Sequence, residues 1–226
     1  MMVLSPAESL YLGEGGTQFL ERNMTRLVRE TRLRSKFIRN LASNIKGVSS
    51  DDRFLEIGCG IGANLMPGDV GVDIDPRVVA MIKPKVVGLV GRACELRFLH
   101  DGFSSVVLAV GLLMHLPGNM LPYVLQEIAR VSRNGIILGE YVLPEEIDLM
   151  WNPDTGAHLP VDVKEARRQG TVSDGQSSLL WARPYDLSPF GFKKVLEKKK
   201  CYPFDDDLTF QVWKRQKPLP KPSSAW

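Results

Sequence analysis

The sequence predicts an α/β domain: a mostly parallel seven-stranded sheet with helices on both faces and an antiparallel hairpin at its C-terminal end. Three observations carry this. Short apolar runs alternate with segments of helical period between about residues 53 and 142. The run Phe54-Leu55-Glu56-Ile57 leads directly into three glycines at alternate positions, Gly58, Gly60 and Gly62. A second run, Val70-Gly71-Val72, ends in Asp73, eleven residues past the last glycine.

Taken in order, residues 1–16 read as a flexible arm. From Thr17 to about Lys46, Phe19, Leu20, Met24, Leu27, Val28, Phe37, Ile38, Leu41 and Ile45 recur at helical spacing. One or two amphipathic helices laid across the sheet are expected there, with the intervening arginines mostly a solvated face. Residues 1–47 thus form an arm and helical cap, ahead of a main domain over 48–215. Strands are expected near 53–57, 69–73, 86–90, 104–110 and 135–142, and helices near 76–82 and 119–132. Pro67-Gly68 interrupts the helix after Gly62 within about a turn. Asp75-Pro76 is a helix start, with Asp75 as cap and Pro76 at the first helical position. Residues 143–185 show no sustained period and read as an insertion or lid. It emerges at the carboxyl ends of the strands, where open α/β sheets bind ligands. Two late strands, about 191–199 and 207–214, complete the sheet, and 216–226 read as a disordered tail.

Composition narrows the function. A chain of 226 residues, 44% hydrophobic and 24% charged, can bury a sizeable core. The net charge of +3 does not argue for nucleic acid. Cys59, Cys94 and Cys201 lie far apart, so neither a zinc cage nor a disulfide framework is indicated. The N-terminus does not read as a signal peptide and no apolar run suits a membrane span. A cytoplasmic protein without membrane association is expected, as a monomer or homodimer.

The chemistry of the glycine turn points to a ligand class. Dinucleotide enzymes favour G-x-G-x-x-G, in which helix-start amides hold a pyrophosphate. Here the spacing is G-x-G-x-G, and Glu56 precedes the first glycine. A carboxylate there repels a pyrophosphate and suits a cation. Asp73, at a strand tip, is placed to take both ribose hydroxyls. The first residues therefore favour a positively charged nucleoside over NAD.

These residues resemble the class I S-adenosylmethionine-dependent methyltransferases. The resemblance continues through Gly91-Arg92-Ala93-Cys94, Phe103–Leu108, Val110-Gly111-Leu112-Leu113-Met114-His115-Leu116-Pro117 and Asn134–Tyr141. Within that superfamily the chain is most similar to small methylases associated with pseudaminic acid and other surface-sugar biosynthesis. That similarity rests on Phe19-Leu20-Glu21-Arg22-Asn23, the Leu-Met-His-Leu loop, the Gly-Glu-Tyr strand end and Pro203–Phe210. The resemblance implies a Rossmann-like methyltransferase fold with S-adenosyl-L-methionine as cofactor. It implies that the turn backbone (Gly58, Cys59, Gly60, Gly62) and, through water, Glu56 hold the methionine end, and that Gly111 borders the cofactor. Arg22 and Asn23 either close over the methionine carboxylate or form ordinary helix surface. Cys59 reads as packing, not as a nucleophile.

Relatives often carry an acid within Gly-Asp-Ala that binds the adenine amino group. Arg92 stands in that position and cannot accept a hydrogen bond. Adenine is then expected against the backbone of Ala93 and Cys94 with Ile74 over the ring, or Arg92 is a surface residue.

For catalysis, His115 is the best candidate base, since an imidazole accepts a proton near neutral pH; buttressing the loop is its other reading. Glu140 and Tyr141 end the fifth strand. One of them is expected to face the pocket, where a carboxylate can hold a sugar hydroxyl or amine or else brace the His115 loop. His158, in the insertion, is placed to meet substrate. No metal-ligand cluster is expected. The function that follows is methyl transfer to a small molecule, a sugar or nucleotide-sugar hydroxyl or amine, in carbohydrate biosynthesis. The alternatives are a catalytically degenerate binding or scaffold protein, an RNA methyltransferase, or a nucleotide-linked oxidoreductase, which fails the glycine spacing.

Overall fold

The computed structural model describes residues 4, 8–9, 12–49, 51–152, 157–160, 180–199 and 208–220, and the structural statements below concern these. Helix α1 spans Glu14–Ala42 as one uninterrupted element. Its C-terminal half lays Ile38, Leu41 and Ala42 against the sheet, among Phe54, Val106, Leu108 and Ile137. Two of its arginines depart from the expected solvated face. Arg34 is buried and paired with Glu30 at 3.1 Å. Arg39 grips both oxygens of the buried Asp69, at 2.7 and 2.8 Å, with its guanidinium over the Phe54 ring. Asp69 also accepts the N–H groups of Phe54 and Met66. This single carboxylate therefore ties the helix to the entrances of the first two strands.

The strands follow as β1 (Phe54–Ile57), β2 (Val70–Asp73), β3 (Val87–Val90), β4 (Ser104–Val110) and β5 (Ser132–Glu140). After the insertion come β9 (Phe192–Lys199) and β10 (Thr209–Arg215). The seven-stranded sheet runs in the order β3-β2-β1-β4-β5-β10-β9, parallel through β5, with β10 antiparallel to both β5 and β9. Helix α3 (Leu121–Val131) covers the face opposite α1, burying Val124, Leu125 and Ile128 against Val107, Ala109, Ile136 and Leu138. Strand order reverses between β1 and β4. The crevice beyond their carboxyl ends is where an open α/β sheet binds its ligand.

Helix α2 (Pro76–Val79) is a single turn, capped by Asp75, whose side chain accepts the Arg77 N–H. Strand β5 starts three residues earlier than expected because Ser132 leaves α3 directly into extended backbone. The insertion folds as its own antiparallel sheet, β6 (Ile147–Asn152), β7 (Ala157–Pro160) and β8 (Leu180–Ala182), in the order β7-β6-β8. Leu149, Leu180 and Ala182 seat it on the α1 side of the core beside Tyr141. Two terminal expectations change. Glu8, in the supposed flexible arm, is buried and paired with Arg92 at 2.7 Å. The first residues of the supposed tail are held, with the Gln216 N–H on the Gly191 carbonyl and the Leu219 N–H on that of Arg133. Residues 221–226 lie outside the described residues.

Candidate active site

The glycine turn is folded back onto the tip of β2. Gly58 and Cys59 both donate N–H groups to the Val72 carbonyl, and Gly60 donates to Asp73 Oδ2 at 2.8 Å. Gly58 has φ +70, and a Cβ there would lie 2.8 Å from Leu112 Cδ1, so that position accepts glycine alone. Gly60 has φ +51, but its absent Cβ faces open space. The backbone at Gly60 is therefore bare toward the crevice. Gly62 closes the turn with its N–H on the Cys59 carbonyl. The Cys59 thiol is buried, and burial pushes it well above its ordinary range, as suits packing and not a nucleophile. Asp73 takes the N–H groups of Gly60 and Asp75, one on each oxygen, and burial raises its carboxyl. Each oxygen keeps a lone pair for a further donor.

Behind the turn, Glu56 is 1% exposed. Asn64 Nδ2 donates to its Oε1 at 2.6 Å, while Glu56 Oε2 and Asn64 Oδ1 are buried with no hydrogen-bond partner among the described residues. Burial pushes the Glu56 carboxyl up to about 8, with the Asn64 hydrogen bond and the Arg34 charge pulling the other way. An unsatisfied buried acceptor costs about 1–3 kcal/mol. Once Glu56 ionises, both atoms are open acceptors, as suits a donor-rich cation. Asn64 did not emerge from the sequence reading. Its signal was there as the lone polar side chain in Gly62-Ala63-Asn64-Leu65.

Beyond β2 and β3, Ile74, Ala93 and Cys94 are half-buried. Arg92 turns toward the N-terminal segment, with Nε and Nη2 donating to the two Glu8 oxygens at 2.8 and 2.7 Å. Its charge is thereby compensated from 84 residues away. Arg22 and Asn23 lie on α1, but their side chains are outside the described residues, as is that of His158 on β7.

The β4–β5 half holds the remaining candidates. Gly111 donates its N–H to the Gly139 carbonyl, and the chain then makes one 3₁₀ turn, Leu113–His115. His115 is half-buried at the end of that turn. Glu140 is fully buried, and its carboxylate accepts the N–H groups of Leu112, Leu113 and Met114 at 3.0, 2.9 and 3.1 Å. It thus braces the His115 loop, and no exposed surface remains for it to meet an acceptor directly. Desolvation holds its carboxyl up at about 8 despite these bonds. Tyr141 projects to the opposite face and is buried beneath the insertion. Arg183, at the exit of β8, completes the brace with Nη2 on the Leu116 carbonyl at 3.0 Å. An acid on the turn's opening N–H groups and a base on its last carbonyl match the polarity of the turn. Arg183 too was missed, because a lone arginine in an aperiodic segment gives no pattern.

No group of His, Cys, Asp and Glu that could hold a metal ion occurs among the described residues, nor a helix long and apolar enough to cross a membrane. Residues 55–138 match the family model described as a methyltransferase domain. No curated protein matches the chain significantly. Among the solved structures it resembles is the magnesium protoporphyrin IX methyltransferase of Synechocystis PCC 6803 with bound SAH. Identity there is 12%, coverage 92% of this chain and 98% of that one, and the TM-score 0.62. A second is the 1,6-didemethyltoxoflavin-N1-methyltransferase of Burkholderia thailandensis (12% identity, 95% and 92% covered, TM-score 0.58). A third is the amino pentose methyltransferase CalS10 of Micromonospora echinaspora (12%, 82% and 91%, 0.53). The seven-stranded sheet, the reversal between β1 and β4 and the antiparallel β10 are thus those of a Rossmann-like class I methyltransferase fold, with the methyltransferase-domain match running from β1 into β5.

Proposed function

We propose that this chain is an S-adenosylmethionine-dependent methyltransferase acting on a small molecule, with a sugar or nucleotide-sugar hydroxyl or amine as the acceptor. The observation that carries the cofactor is the pair of unpartnered buried acceptors, Glu56 Oε2 and Asn64 Oδ1, behind a bare glycine turn. They fit the ammonium of the methionine end. Asp73 fits the ribose hydroxyls, and Ile74, Ala93 and Cys94 fit the flanks of adenine. The methyltransferase-domain match over 55–138 supports this half of the reading. The sugar acceptor is supported by the sequence resemblance and by an amino pentose methyltransferase among the structural neighbours.

When bound, S-adenosylmethionine supplies a methyl group already activated by a sulfonium. The protein's share is then orientation, worth up to about 7–11 kcal/mol for a well-aligned pair. His115, on a loop braced by Glu140 and Arg183, is the group that takes the proton of a hydroxyl acceptor, a role typically worth ~10²–10⁴-fold. Calorimetric titration with S-adenosylhomocysteine tests the cofactor. Wild-type protein should bind it in the micromolar range, and Asp73→Ala or Gly60→Val should abolish binding. Equal binding by both variants sinks the proposal. His115→Ala should slow turnover far more than it weakens cofactor binding.

A further inference from the structure

Arg183 stands out among the buried charged groups. Its side chain is 1% exposed, and Nη1 and Nε make no hydrogen bond. Its ion pair among the described residues, with Glu146 at 3.4 Å, falls on a carboxylate that is 52% exposed. Trp181 covers the guanidinium at 5.2 Å. Burying a guanidinium with only a partly exposed counter-ion is costly. The nearby Glu140 feels the Arg183 charge but spends both oxygens on three backbone N–H groups. Tyr185, two residues on, is buried within reach of the same charges, and its hydroxyl also lacks a partner among the described residues. A trapped water can satisfy the hydrogen bonds but adds no counter-charge to that of Glu146.

We propose that Arg183 and Tyr185 form an oxyanion subsite that takes a carboxylate or phosphoryl group of the acceptor, next to the His115 loop, with Glu146 as its displaceable internal occupant. The word acceptor rests on the methyltransferase reading; the oxyanion subsite does not. The geometry is specific. Arg183 uses Nη2 to hold the Leu116 carbonyl and its backbone N–H to hold that of Tyr141, so the guanidinium is fixed before any ligand arrives. Its remaining donors and the Tyr185 O–H are those an oxyanion requires. Glu146, exposed and not hydrogen-bonded to Arg183, marks the way in. An acceptor anchored here would be held by the side chain that also fastens the end of the His115 loop.

The test is thermal unfolding of the whole chain, free and saturated with S-adenosylhomocysteine, in sodium acetate or sodium phosphate against sodium chloride at matched ionic strength. Acetate reports a carboxylate preference and phosphate a phosphoryl one. Wild-type protein should gain a saturable rise in Tm with at least one of them. The rise should vanish in Arg183→Met and Tyr185→Phe. In Glu146→Gln it should occur at roughly two- to fivefold lower anion concentration, the value of one partly exposed ion pair. If Arg183→Met fails to fold, the Tyr185 and Glu146 variants carry the test alone. A rise shared by chloride, or one unchanged in Tyr185→Phe and Glu146→Gln, overturns the subsite. Titration of S-adenosylhomocysteine into the same samples separates the two readings. Normal cofactor binding without an anion response removes only the subsite, and an anion response without cofactor binding removes only the methyltransferase.

Discussion

Glu56→Gln probes the cofactor reading most directly, because the free protein holds this carboxyl up at about 8. At pH 7 such a group is about nine-tenths protonated, yet pairing with an ammonium requires it ionised. Binding of S-adenosylhomocysteine should therefore release about 0.9 proton at pH 7, and its Kd should fall roughly 50-fold between pH 6 and pH 8 before levelling. The substitution keeps the shape and removes the titration. Proton release should vanish and the Kd should become flat with pH. At pH 8 affinity should drop by about 1.5–3 kcal/mol, the worth of a hydrogen bond to a charged partner. Calorimetry in buffers of differing ionisation enthalpy counts the protons. If the wild type exchanges none, or the variant exchanges as many, Glu56 does not meet the cationic end of the ligand.

Other consequences concern the scaffold. Glu140→Gln places an amide donor against at least one of the three N–H groups it now accepts, and should cost about 1–3 kcal/mol in urea unfolding while lowering kcat with little change in cofactor Kd. Arg39→Met strands the buried Asp69 carboxylate without its cation and should cost about 3–5 kcal/mol, again by urea unfolding, with cofactor stoichiometry intact. The folded chain keeps protons on Glu56 and Glu140 up to about pH 8, whereas the unfolded chain releases them near 4.5. Unfolding therefore releases protons within that window. Stability should decline as pH rises from about 4.5 to about 8 and flatten above it, and Glu56→Gln should shallow the slope.

What was legible in the sequence was local. The glycine turn, Asp73 at a strand tip and the Asp75-Pro76 helix start each depend on neighbours within a few residues, and period and turn chemistry expose them. The illegible features are long-range. The Glu8–Arg92 pair spans 84 residues, Arg39–Asp69 spans 30, and Arg183 meets Leu116 across 67. A basic helix in isolation reads as a solvated face, and only the fold shows where Asp69 waits for Arg39. The start of the expected tail was illegible for the same reason, since Gln216 and Leu219 bond the backbone carbonyls of Gly191 and Arg133.

The two buried glutamates at strand ends show why chemistry type alone cannot assign a role. Glu56 and Glu140 have the same side chain, comparable burial and carboxyls pushed to about 8 by the same desolvation. Their remaining hydrogen-bond capacity separates them. Glu140 has turned both oxygens onto backbone N–H groups of one loop, so its contribution is shape: it fixes where His115 stands. Glu56 has one oxygen on Asn64 and the other on nothing, an arrangement that is costly while vacant and favourable when a cation fills it. A purely structural carboxylate would be expected to resolve that cost within the fold, as Asp69 does with hydrogen bonds from Arg39 Nη2 and the Phe54 and Met66 N–H groups. Among the described residues Glu56 thus keeps an open buried acceptor and Arg183 open buried donors. The first suits a cation and the second an anion, the polarities that the proposed cofactor's ammonium and an acidic acceptor would require.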